Sequence, residues 1–134
     1  MMNASIALLF ATATQTFNLP VGLMPAVCFV ETHHDVRAIN LYDHGSPSLG
    51  ICQIKYTTAR SLGYKGTPEL LWHNPKVNIY WASKYLSRLL SRYGGDRYKA
   101  VSAYNLGHFQ PRQDGTAVNY KYVEKVMMAL QEER

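Results

Sequence analysis

The sequence predicts a mainly α-helical protein with a cleft and at most a small β-hairpin. Apolar residues recur at helical spacing in the longest periodic stretch, from Asn74 to about Tyr93. Capping residues stand directly before prolines at Thr67-Pro68 and Asn74-Pro75, an arrangement typical of helix starts. Residues 35–49, in contrast, are rich in turn-forming types. Because 134 residues is a one-domain length, we expect residues 1–134 to form a single domain.

The first apolar stretch, residues 4–13, is interpreted as a helix of the core. A secretory signal peptide is the alternative, but it would carry lysine or arginine before its apolar part, and none is present. The stretch is also too short to span a membrane. We therefore expect no integral membrane segment.

A second, buried helix is expected to end at Thr32. Asn18 and Pro20 predict its start, since asparagine caps exposed amides and proline fits the first turn. Pro25 should either kink this helix or delay its true start to Met24, because proline removes an internal hydrogen bond.

The rest of the chain predicts a loop and then further helices. Within residues 35–49, residues 37–42 are expected to supply a short strand. Start and stop signals then predict helices at residues 58–62, from Thr67-Pro68, from Asn74-Pro75 to about Tyr93, after the cap Asp96, and from about Val118.

The composition is that of a globular protein attracted to polyanions. Apolar residues make up 47%, charged residues 17%, and the formal net charge is +5. This charge suits nucleic acid, anionic lipid or a bacterial cell wall equally. There is no basic run, zinc-finger spacing or RNA-binding aromatic motif, so no nucleic-acid partner is expected. His33 and His34 lack the spacing of a helical zinc site, and we expect no metal or other cofactor.

Glu31 is a candidate general acid. It closes the apolar run of residues 28–30, so at a helix end its carboxyl would emerge where a buried face meets the surface. Loss of hydration and the carboxyl end of the helix dipole both disfavour the charged form. Such a carboxyl can stay protonated near neutral pH. A solvated glutamate at a helix end is the alternative that these residues leave open.

Three further stretches carry polar groups suited to ligand binding. Residues 48–54 place a glycine among apolar residues beside a lone glutamine, residues 103–105 pair an aromatic with an amide, and Tyr122 stands near the end. With Glu31, these stretches read Glu-Thr, Gly-Ile-Cys-Gln-Ile, Ala-Tyr-Asn and Tyr-Val-x-x-Val in order. This order resembles the catalytic domain of soluble lytic transglycosylases over roughly residues 18–130. The resemblance implies a goose-lysozyme-like fold and cleavage of peptidoglycan glycan strands.

The resemblance also implies roles for the matching residues. Glu31 is the general acid and then the base, Gly50 lets the backbone approach the glycan, and Tyr122 bonds or positions the Glu31 carboxyl. Substrate contacts are implied for Thr32, Ser48, Gln53, Tyr104 and Asn105. The chain departs from the family at Thr32, which is usually serine, and at Ile51-Cys52, which are usually leucine and methionine. We expect the sugar subsite nearby to differ in shape.

Cys28 and Cys52 are the only cysteines, and both stand among apolar residues. Two buried free thiols are the preferred interpretation, because free cysteine behaves as a small apolar side chain. A disulfide stays open as the alternative, since the two segments are expected to meet at one cleft.

The expected reaction needs one acid. Ordinary glycosidases use two carboxylates, whereas the family uses the C6 hydroxyl of N-acetylmuramic acid as nucleophile and forms 1,6-anhydromuramyl ends without water. The first alternative is a goose-type hydrolase in which Asp43, the candidate second carboxylate, activates water. A turn aspartate bonding its own backbone is the ordinary interpretation of Asp43. The second alternative is a wall-binding module that no longer needs a protonatable Glu31.

The expected place of action is the bacterial cell wall, periplasmic or extracellular, with the protein a monomer. A phage-encoded lysin is preferred over a wall-opening enzyme of a secretion apparatus. The export route stays open.

Overall fold

The computed structural model describes residues 2–43 and 45–132, so residues 1, 44, 133 and 134 of the predicted domain lie outside the described residues. Its elements follow in chain order: α1 (Ala4–Thr16), α2 (Leu23–Thr32), β1 (Ile39–Asn40), β2 (Ser48–Leu49), β3 (Ile54–Lys55), α3 (Tyr56–Ser61), α4 (Pro68–His73), α5 (Pro75–Arg92), α6 (Arg97–Leu106) and α7 (Tyr120–Glu132). The predicted mainly α fold with a small β element is confirmed.

Helix α5 runs through the core and packs against α1, α3, α4 and α6. Its start follows from local chemistry, since the Asn74 side chain accepts a hydrogen bond from the Val77 N–H at 3.2 Å and Pro75 occupies the first turn. Its buried face carries the apolar residues at helical spacing: Ile79, Ala82, Leu86 and Leu89.

Helix α1 packs on α5 through a narrow apolar face formed by Ile6, Phe10 and Ala13. The expected core helix in this segment is therefore present. None of the helices in the described part of the chain combines the length and the apolar character needed to cross a membrane.

Helix α2 is buried and packs along α7. It begins at Leu23, so the predicted start at Asn18 and Pro20 is wrong. Asn18 has a positive φ of 51°, and a turn through Pro20 precedes the helix. Pro25 then lies in the first turn, where its missing N–H breaks no helical hydrogen bond. The helix therefore starts late, one residue before the predicted alternative at Met24.

The turn-rich segment belongs to a three-stranded antiparallel sheet in the order β1-β2-β3, one strand more than the expected hairpin. Asn40 pairs with Ser48, and Ser48 pairs with Lys55. The β2–β3 turn is tight, since the Gln53 N–H donates to the Gly50 carbonyl at 3.0 Å. Strands of two residues are too short to show an alternating pattern in the sequence.

Cys28 and Cys52 form a disulfide that joins α2 to the β2–β3 turn. Both side chains are fully buried. The expectation of two free thiols is thus wrong. The pairing depends on tertiary packing, which brings the two cysteines together. The Thr32 hydroxyl donates to the Ile51 carbonyl at 2.7 Å and holds the two segments in contact.

Candidate active site

A cleft opens between the end of α2, the small sheet, α5 and the end of α6. Six of the residues singled out in the sequence line it: Glu31, Asp43, Ser48, Gln53, Tyr104 and Asn105. Six further residues line it. Ile54 ends the stretch 48–54 considered above, and the sequence analysis missed the other five: Lys55, Thr58, Tyr85, Leu106 and Gly107.

Glu31 presents a largely buried carboxyl to this cleft from the last turn of α2. The Tyr122 hydroxyl donates a hydrogen bond to Glu31 Oε2 at 2.7 Å. Burial raises the pKa of Glu31 from its ordinary value of 4.5 to about 7, the nearby Asp43 charge adds to the rise, and the hydrogen bond from Tyr122 opposes it. A carboxyl with this pKa can both give and take a proton near neutral pH.

Two tyrosines flank the acid, and both of their hydroxyl groups have protein partners. The Tyr104 hydroxyl donates to the Cys52 carbonyl at 2.7 Å, which links α6 to the β2–β3 turn. Burial raises the pKa of the Tyr104 phenol and that of the Tyr122 phenol well above the ordinary value for tyrosine. Both phenols therefore stay neutral near neutral pH. Tyr122 can thus donate to Glu31 in either protonation state of the carboxyl.

Tyr85 reaches the cleft from α5, and its ring lies 5.3 Å from that of Tyr104, centroid to centroid. Burial raises the pKa of its phenol as well. The helical periodicity shows only that Tyr85 stands on a helix, next to the core residue Leu86. No neighbouring residue in the sequence distinguishes it from the nine other tyrosines. Its place in the cleft depends on how α5 packs against α6.

Asp43 lies across the cleft, in the loop between β1 and β2. Its Oδ2 accepts a hydrogen bond from the Ser48 hydroxyl, and its Oδ1 lies 3.7 Å from Lys55 Nζ. Asp43 therefore bonds side chains of the sheet, in contrast to the ordinary interpretation of a turn aspartate bonded to its own backbone.

The two amides of the cleft are each fixed by one protein contact. Gln53 has a positive φ of 53° and donates from Nε2 to the Gly50 carbonyl at 3.0 Å. Asn105 accepts at Oδ1 from Asn119 Nδ2 at 2.9 Å, an arrangement that fixes its amide orientation. The Nδ2 donors of Asn105 then face away from this contact and are suited to bind a ligand.

Gly50 and Thr32 are not among the residues that line the cleft, and the substrate contacts expected for them stay predictions. A Cβ on Gly50 would collide with the Asn78 side chain and lie 2.6 Å from the Trp72 carbonyl oxygen. The close approach that this glycine permits is therefore to α4 and α5. The Thr32 hydroxyl donates to the Ile51 carbonyl, as described above.

Asn78 is a buried support of the site that the sequence analysis missed. Its Nδ2 donates to the Leu49 and Leu71 carbonyls, each at 2.7 Å, and its Oδ1 accepts from the Cys52 N–H at 3.0 Å. A polar residue on the apolar face of a predicted helix could have indicated this role. A buried amide is normally hydrogen-bonded, and backbone groups are its usual partners.

The fold is shared with a known lytic transglycosylase. The chain superposes with a TM-score of 0.75 on an inactive mutant of lytic transglycosylase Slt from Pseudomonas aeruginosa, at 19% identity, over 92% of this chain and 23% of that chain. This likeness shows that the two chains share a fold, and it confirms the predicted lysozyme-like fold.

The family follows from the sequence match. Residues 8–126 match the family model described as the transglycosylase SLT domain, so the chain belongs to this family.

Two relatives match part of their length to this chain. Protein IpgF of Shigella flexneri is 32% identical over 98 residues, which are 71% of this chain and 62% of that protein. Peptidoglycan transglycosylase gp16 of Escherichia phage T7 is 31% identical over 101 residues, 74% of this chain and 7% of that protein. The chain thus matches less than two thirds of the length of either relative.

Proposed function

We propose that this protein is a lytic transglycosylase that cleaves the β-1,4 bond between N-acetylmuramic acid and N-acetylglucosamine in peptidoglycan. The observation that carries the proposal is the Glu31 carboxyl, which faces a cleft and has a pKa raised to about 7. Membership of the transglycosylase SLT domain family and the name of the phage relative support the substrate.

The reaction needs one proton donor that later becomes an acceptor. Glu31 donates its proton to the glycosidic oxygen as the bond from that oxygen to C1 of N-acetylmuramic acid breaks. The C6 hydroxyl oxygen of the same sugar then bonds to C1, and its proton passes to the Glu31 carboxylate. The acid is restored, no water is consumed, and the product ends in a 1,6-anhydromuramyl group.

The surrounding residues assist this proton transfer. Tyr122 donates to Glu31 Oε2 and so stabilises the carboxylate that forms after the first step. Gln53 and Asn105 would hold the glycan by hydrogen bonds, and the rings of Tyr85 and Tyr104 offer an apolar wall for sugar C–H groups.

Hydrolysis by a second carboxylate is the competing function, and it is favoured by the presence of Asp43 in the same cleft. In that reaction Asp43 would take a proton from water as the water oxygen attacks C1. Both Asp43 oxygens already have partners in Ser48 and Lys55. A carboxylate so engaged is less available to activate water, which supports transglycosylation.

Product analysis separates these functions. Purified murein sacculi are incubated with the wild type, with Glu31→Gln and with the matched control Glu124→Gln, which changes an exposed glutamate on α7, and soluble products are identified by mass spectrometry. We expect anhydro-muropeptides from the wild type and the control, and none from Glu31→Gln.

The other outcomes each contradict the proposal. Reducing ends from the wild type would show hydrolysis and make Asp43→Asn the next variant. Binding to sacculi without any released product would indicate a wall-binding module.

The proposed place of action is the bacterial cell wall, with the protein acting as a monomer. The net charge of +5 suits attraction to an anionic wall. The relatives come from a phage and from a bacterium, so they are compatible with both settings considered above.

A further inference from the structure

The carboxylate of Asp43 is held by two neighbours that share one face of the small sheet. Ser48 on β2 and Lys55 on β3 are directly paired residues, so their side chains project to the same side. The Ser48 hydroxyl donates to Asp43 Oδ2, and Lys55 Nζ lies 3.7 Å from Asp43 Oδ1. The cross-strand pair therefore fixes both oxygens of one loop carboxylate.

This fixed charge faces the catalytic acid. All three members of the cluster line the cleft that Glu31 lines. The negative charge of Asp43 raises the pKa of Glu31, after the larger effect of burial. Like charges in one cleft oppose each other's ionisation.

The other groups around Glu31 act differently. Tyr122 from α7 donates a hydrogen bond to the carboxyl and lowers its pKa. Tyr104 from α6 and Tyr85 from α5 are phenols whose pKa burial raises, so they add no charge near neutral pH. Among the residues that the structure describes, Asp43 is the anion whose charge acts on Glu31, and Lys55 on β3 is the cation beside it.

We propose that Lys55 is a positioning residue that, together with Ser48, holds the Asp43 carboxylate as a partly compensated charge and thereby sets the pH above which Glu31 stops donating its proton. The consequence for activity rests on the proposed function, whereas the effect on Glu31 ionisation does not.

Two single substitutions should shift Glu31 in opposite directions. Asp43→Asn removes the opposing negative charge, so we expect the pKa of Glu31 to fall. Lys55→Met removes the cation that partly offsets the Asp43 charge, so we expect the pKa of Glu31 to rise. The ion pair is partly exposed, with 31% exposure of each side chain, and contributes little to stability, so both variants should fold.

The double variant separates a positioning role from a direct charge effect. The Asp43 carboxylate also holds the Lys55 ammonium at the cleft, 3.7 Å away. In the Asp43→Asn background the ammonium is no longer held there, so Lys55→Met should change the pKa of Glu31 much less than in the wild type. An equal rise in both backgrounds would show that Lys55 acts on Glu31 as a separate charge. That result would overturn the proposal.

The direct measurement is a pH titration of the Glu31 carboxyl carbon by 13C NMR, with the signal assigned from its loss in Glu31→Gln. The matched control is Lys99→Met, which removes an exposed lysine in the first turn of α6, at the far end of that helix from the cleft. We expect no shift of the Glu31 titration in the control. An unshifted titration in Lys55→Met, or a shift as large in the control, would refute the proposal.

A second measurement connects the shift to function. The alkaline limb of kcat/KM on glycan strands should move with the NMR titration in each single variant. If no variant releases product but the titrations shift as expected, the proposed function fails and the role of Lys55 stands. If products form but the titrations coincide, the role of Lys55 fails and the proposed function stands.

Discussion

Replacing Glu31 by glutamine should stabilise the protein above neutral pH. The substitution removes a carboxyl that burial makes costly to ionise. It keeps the size of the side chain and an oxygen that can accept the hydrogen bond from Tyr122. The ionisation of one buried group is therefore removed with little change in packing.

The magnitude follows from the pKa difference. The Glu31 carboxyl titrates at about 7 in the folded protein, against an ordinary value of 4.5 that we assign to the unfolded chain. Between these values the folded state binds more protons, so wild-type stability falls as pH rises. The full loss amounts to about 3 kcal/mol, since each pKa unit corresponds to about 1.4 kcal/mol. Below about pH 4.5 the wild type keeps the full stabilisation from the protonated Glu31 carboxyl, and above about pH 7 it has lost this stabilisation.

Urea unfolding of the wild type and of Glu31→Gln, from about pH 4 to about pH 8, measures this effect. We expect the two proteins to have similar free energies of unfolding at the acid end. Their difference should grow through the interval between the two pKa values and then level off in favour of the glutamine variant. Glu124→Gln, which changes an exposed glutamate, should show no such growth.

A stability difference that is independent of pH would refute this reasoning. It would mean that Glu31 titrates alike in the folded and unfolded chains, and the carboxyl would then be ionised at neutral pH. The general-acid role would lose its physical basis.

Three further outcomes are expected. Tyr122→Phe removes a hydrogen bond that lowers the pKa of the catalytic glutamate, so the alkaline limb of kcat/KM should move to higher pH; a move to lower pH would contradict the geometry. The double variant Cys28→Ala, Cys52→Ala opens a loop closed over 24 residues and should lose about 3 kcal/mol of unfolding free energy under non-reducing conditions; an unchanged urea midpoint would show that packing alone holds this junction. Gly50→Ala places a Cβ against a buried asparagine at a positive φ and should lose about 3 kcal/mol or more in thermal unfolding. The reference for this last change is Gly94→Ala, also at positive φ but in open space, which should lose only about 1 kcal/mol.

Much of the helical framework was predictable because its signals are local. Asn74 caps α5 through its own side chain, and Asp96 caps α6 in the same way, by accepting from the Lys99 N–H at 3.1 Å. The start of α2 was not predictable from Asn18 and Pro20, because the backbone of Asn18 turns left-handed before the helix begins. A residue's capping ability does not show where the tertiary structure needs the chain to turn.

Part of the cleft was predictable for a similar reason. An acid that ends an apolar run must emerge near a buried face, so Glu31 could be proposed from its neighbours alone. The motif order then indicated Tyr122, Tyr104 and Gln53. The sequence could not distinguish side chains that line the cleft from those that support it, and Asn78 belongs to the second group.

By itself the sequence determined the helix caps, the amphipathic faces and the chemical type of the acid, all of which depend on residues within a few positions of one another. Only the tertiary structure decided that Cys28 bonds Cys52, that Lys55 pairs with Asp43, and that the Tyr122 hydroxyl comes within hydrogen-bond distance of Glu31. Tyr122 and Glu31 are 91 residues apart in sequence and 2.7 Å apart in space. Such contacts arise from the packing of whole helices, because α2 and α7 must bury their apolar faces against each other before these two side chains can meet.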